Sequence, residues 1–116
     1  MQDGEYLASG TVQSDVGVYG LSQLLARSGL RVEVRESSHF KGGKCVSLRS
    51  GEARVTAEQI ESSTFLLRGE GTGPVELGAL CRSLSSALGA NSIEHRIELY
   101  DGSDILRHEY IYPPVA

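Results

Sequence analysis

Leu77, Leu80, Cys81, Leu84 and Leu88 recur at spacings of three and four residues. That rhythm is the apolar stripe of an amphipathic helix, and a helix with one oily face must lay it on another layer. Pro74 suits the first turn, and Gly89 is expected to cap the end in a left-handed conformation. A second helix is expected from Val16 to about Ser28, with Ser14 or Asp15 as its cap. Its stripe is Val16, Gly20, Leu21, Leu24 and Leu25, and Gly29 supplies the stop. Gly17 and Gly20 weaken that helix by about 1 kcal/mol each relative to alanine.

The partner layer has the period of strands. Leu30, Val32 and Val34 alternate with Arg31, Glu33 and Arg35, the pattern of a half-buried strand. Tyr6 to Gln13 and Phe65 to Arg68 read as strands that each precede a helix. Cys45 to Arg49 and Ala53 to Ala57 flank a tight Ser50-Gly51 turn. Thr56-Ala57-Glu58-Gln59 matches a capping box, so a short helical turn is expected there. Ile93 to Tyr112 reads as a hairpin about Asp101-Gly102-Ser103-Asp104. Pairing Tyr100 with Ile105 sets Glu98 against Arg107 and Arg96 against Glu109. His95, Ile97, Leu99, Leu106, His108, Tyr110 and Tyr112 then point to the helices.

These elements make an α+β, two-layer sandwich, a mostly antiparallel sheet with two helices on one face; a ferredoxin-like arrangement is the alternative. At 116 residues the chain suits a single domain, 1–116. A shift of 59 residues sets Tyr6-Leu7 on Phe65-Leu66, Gly10 on Gly69, Val16 on Val75 and Leu21 on Leu80. That suggests a tandem β-α-β-β duplication, with units 5–58 and 63–113.

Composition narrows function by exclusion. No apolar run reaches the length of a membrane span, and the start lacks the basic and apolar regions of a signal peptide, so a soluble, cytoplasmic protein without a membrane partner is expected. A net charge of −4 argues against a nucleic-acid partner and suits a basic protein partner. Cys45 and Cys81 have neither metal nor disulfide spacing, and no cofactor or metal is expected.

Three constellations could carry chemistry. Gly69, Gly71, Thr72 and Gly73 lie between a strand and a helix, where backbone N–H groups could hold an anion. Glu70 and the missing P-loop lysine oppose a phosphate there, and a tight turn is the simpler reading. Cys45 follows a loop with His39, Lys41 and Lys44, a setting for a thiol enzyme with a lowered cysteine pKa. No third orienting group accompanies the pair. His95 and His108 fall on one face as diagonal neighbours, one or two ligands short of a zinc site and better read as core histidines.

The reading that remains is a binding module, leaning away from an enzyme, that acts by occupying a partner's surface as inhibitors, immunity proteins and adaptors do. Arg96, Glu98, Tyr100, Arg107 and Glu109 on the outer face of the last hairpin are the expected contact residues. A regulatory anion-binding domain using Gly69 to Gly73 is the alternative, and a thiol enzyme at Cys45 comes third. Homodimerisation through a strand edge or the sheet face is compatible with such a domain.

Overall fold

The computed structural model describes residues 6–37, 43–72 and 74–114. The chain runs β1 (Tyr6–Gln13), α1 (Gly17–Arg27), β2 (Val32–Glu36), β3 (Lys44–Ser50), β4 (Ala53–Glu61), β5 (Thr64–Gly71), α2 (Pro74–Ala90), β6 (Glu94–Tyr100) and β7 (Leu106–Tyr112). All seven strands form one antiparallel sheet in the order β2-β3-β4-β5-β1-β6-β7. It is an α+β two-layer sandwich.

Alternation decides which face is covered. Ala8, Val12, Val46, Leu48, Val55, Phe65, Leu67 and Ile97 point to one side and bury against Leu21, Leu24 and Leu25 of α1 and Leu77, Leu80, Leu84 and Leu88 of α2. Both apolar stripes therefore lie on the same face of the sheet, as their spacing requires. The exception is Val16, which precedes α1 and stays 45% exposed. Gly29, at φ +91°, ends α1 by letting Leu30 N–H reach Leu25 O at 3.3 Å and its own N–H reach Ala26 O at 3.0 Å. That is the doubly bonded termination that a left-handed residue permits.

Four local expectations are corrected. Thr56 to Gln59 is not a helical turn but the middle of β4, because paired strands on both sides outweigh a local capping pattern. Gly69 and Gly71 belong to β5 rather than to a turn; a side chain at Gly69 would press on Val55 and Ala8, and one at Gly71 on Leu77. Gly89 does not cap α2, which runs to Ala90 and ends with Ser92 in the left-handed region at φ 57°. The cap of α1 is Val16, and Ser14 Oγ accepts only the Val16 N–H, at 3.4 Å.

The last hairpin also slips. Glu98 faces Glu109, Arg96 faces Ile111, and an irregularity at Leu99/Tyr100 sets Tyr100 against Leu106. Arg107 consequently leaves Glu98 and binds Asp101, with Nε and Nη2 each 2.7 Å from Oδ2. Asp101 Oδ1 accepts the N–H groups of Ser103 at 2.8 Å and Ile105 at 3.1 Å. The turn is thus built around one carboxylate; it takes in one residue more than expected, the irregularity at Leu99/Tyr100 takes up a second, and together they displace the register by two.

Candidate functional site

Every helix packs on one side, so the other side of the sheet carries no covering layer among the described residues. The register arranges its side chains in rows across the strands, three of which carry the candidate residues. One row runs Arg35, Cys45, Glu58, Leu66, Thr11, Arg96 and Ile111. The middle row runs Glu33, Ser47, Thr56, Arg68, Ser9, Glu98 and Glu109. The third runs Arg49, Arg54, Glu70, Leu7, Tyr100 and Leu106.

At the β6–β7 end the expected contact residues gather, with one exception. Tyr100 OH donates to Glu98 Oε1 at 2.9 Å, Arg96 Nη2 lies 3.5 Å from Glu98, and Arg96 Nε donates to Glu109 Oε2 at 3.0 Å. The Glu98 bond holds the Tyr100 phenol protonated above its ordinary range. Arg107 is held by the turn instead. Beside this network Leu7, 44% exposed, sits directly against Tyr100, and Tyr100 against Leu106, 45% exposed. Neither leucine was expected here: Leu106 reaches this row only through the hairpin irregularity, and Leu7 only because β1 lies beside β6.

The β2–β5 end is rich in arginine. Arg31, Arg35, Arg49, Arg54, Arg68 and Arg96 are six of the chain's nine arginines and all belong to this face. Arg49 faces Arg54 across the β3–β4 pair, a like-charge neighbour that costs stability. A hollow of about 360 Å³ is lined by Arg35, Cys45, Ser47, Glu58 and Leu66. A second, of about 430 Å³, is lined by Leu7, Ser9, Glu70 and Tyr100. Arg54, Thr56 and Arg68 border both and join them into one trough.

The thiol site does not assemble. Cys45 is buried in the floor of the trough, where desolvation and then the Glu58 carboxylate push its pKa up, against a smaller opposing effect of Arg35. His39 lies outside the described residues, as does Gly73. Cys81 is buried under α2 and its pKa is pushed up to about 11 by desolvation. The Gly69 to Gly73 site loses its turn geometry, since the strand ladder occupies Gly69 and Gly71. The first turn of α2 already faces a carboxylate: its own Glu76, whose Oε1 accepts the Glu52 N–H at 3.2 Å.

His95 and His108 are separated, with His95 opposite Tyr112 and His108 opposite Leu99. His95 is a satisfied core residue. Ile93 O, 2.9 Å from Nδ1, can only accept, so Nδ1–H donates to it, and Nε2 lies in hydrogen-bond contact with Ser85 Oγ at 2.7 Å. Among the described residues no three histidine, cysteine or acidic side chains cluster to hold a metal, and no helix is long and apolar enough to cross a membrane. No protein-family model and no curated protein matches this chain.

Proposed function

We propose that the protein is a non-enzymatic binding module that acts by occupying a protein partner's surface with the helix-free face of its sheet. The observation that carries this reading is the Leu7–Tyr100–Leu106 row, apolar and partly exposed on a face with no layer over it among the described residues. Interfaces concentrate energy in such anchors and surround them with a polar rim, here Arg96, Glu98 and Glu109. The rim ion pairs themselves are exposed and add specificity more than affinity. Both sheet edges are poor docking strands: β2 has five residues with Glu33, Arg35 and Glu36 among them, and β7 is followed by Pro113 and Pro114. Self-association, where it occurs, is therefore assigned to the same open face.

Affinity capture from native lysate tests the reading, with a Leu7→Asp/Leu106→Asp variant beside a Val75→Asp control on the first turn of α2, where Val75 is 79% exposed. A stoichiometric partner retained by the control and lost by the double variant is the expected result. A partner bound equally by both overturns the use of this face, and recovery of the protein alone overturns the reading.

A further inference from the structure

Arg54 and Arg68 stand diagonally across the β4–β5 pair, since Arg54 faces Glu70 and Thr56 faces Arg68. Both are exposed, and among the described residues neither side chain makes a hydrogen bond or an ion pair, although Glu70 is a direct neighbour of one and Glu98 lies two strands from the other. A guanidinium presents a planar fork of donors matched to a carboxylate or phosphate, so two unclaimed forks flanking the Thr56 hydroxyl form a receptor for oxyanions. Arg49 and Arg31 lie beyond them toward β2 with Glu33 between, and Glu36, Glu58, Glu70 and Asp104 also border the two hollows, so the two unpaired forks, and not the net charge of the trough, are what would take an anion. In a chain of net charge −4, this concentration of arginine on one uncovered face is a matter of placement.

We infer that the trough between β3 and β1 receives an extended acidic segment of the protein partner, its carboxylates on Arg54 and Arg68 and a neighbouring apolar side chain on Leu7 and Tyr100. The inference rests on the binding-module reading and adds the chemistry of what is bound. The second hollow places Arg54 and Arg68 at one end and Leu7 and Tyr100 at the other, so charge and apolar surface lie within one side chain's reach along a strand-like ligand. An extended chain suits the trough because it runs across several strands and is lined by alternate residues of each.

The test uses the whole chain and defined probes: fluorescein-labelled Glu-Glu-Leu-Glu-Glu-Leu, its lysine counterpart, and inorganic phosphate at matched ionic strength. The expected result is binding of the acidic peptide with amide shifts at Thr56, Arg68 and Ser9, weakening as salt rises, and loss of affinity of about tenfold in Arg54→Ala/Arg68→Ala. A control at the exposed Arg82 of α2, on the helix side of the sheet, Arg82→Ala, keeps full affinity. Equal binding of the lysine peptide, or an unchanged affinity in the double arginine variant, overturns the inference. So does phosphate alone producing the same shifts and displacing the peptide at equal concentration, which assigns the site to small anions. In lysate capture, loss of the partner through Leu7→Asp/Leu106→Asp but not through the arginine variant sinks the acidic segment and leaves the module standing. Insensitivity to both removes the face altogether.

Discussion

Gly10 of β1 faces the backbone of β6, and a Cβ there would collide with the carbonyl of Arg96. Backbone cannot step aside as a flexible side chain does, so Gly10→Ala is expected to cost about 3 kcal/mol, read as a lower urea midpoint at unchanged slope. Ser92 presents the opposite case. It holds a left-handed conformation at the end of α2 without being glycine, and Ser92→Gly should gain roughly 0.5–1 kcal/mol, the steric relief outweighing the added chain entropy. The α2 stripe was readable from spacing alone, but the sequence offers Gly89 as the stop and the helix passes it, because Leu88 is buried and its carbonyl takes the Ile93 N–H at 2.9 Å. Packing of the last turn outweighs a permissive residue. For the thiols, raised pKa values and burial predict slow iodoacetamide labelling of Cys45 and Cys81 in the folded protein at neutral pH, accelerating in denaturant. Fast labelling of Cys45 in the native state would reopen thiol chemistry.

Within the β6–β7 hairpin a single carboxylate decides geometry. Two backbone N–H groups, those of Ile105 and Ser103, and then the Arg107 guanidinium hold Asp101 below the usual carboxylate range. A depressed folded-state pKa contributes stability that is present above the unfolded value, about 3.9, and disappears as pH falls through the folded value. Asp101→Asn should therefore lower the melting temperature at pH 7, and the gap from the parent chain should close as the solution is acidified below pH 4. A gap that persists at low pH would mean the turn does not depend on the charge. Charge pairing is what misled the sequence reading of this element. Setting Glu98 against Arg107 and Arg96 against Glu109 satisfies every exposed pair, whereas the folded hairpin gives Arg107 to the turn and lets Arg96 reach Glu109 diagonally. Exposed pairs contribute little and cannot set a register that a turn has already fixed. The outward residues Arg96, Glu98, Tyr100 and Glu109 were nevertheless identified, since a two-residue slip preserves the face.

For the molecule as a whole, period-two and helical spacing revealed the two layers and the uncovered side, while the trough stayed hidden because Arg54, Arg68, Leu7 and Tyr100 come from four strands whose order no local pattern encodes. The position of β1 between β5 and β6 also governs when the sheet can close. A chain emerging from the ribosome makes β1 first yet must synthesise everything through β5 before that strand finds a neighbour, and through β6 before it finds the second. The meander β2 to β5 can zip as it appears, leaving the earliest strand to wait until four later ones have been made.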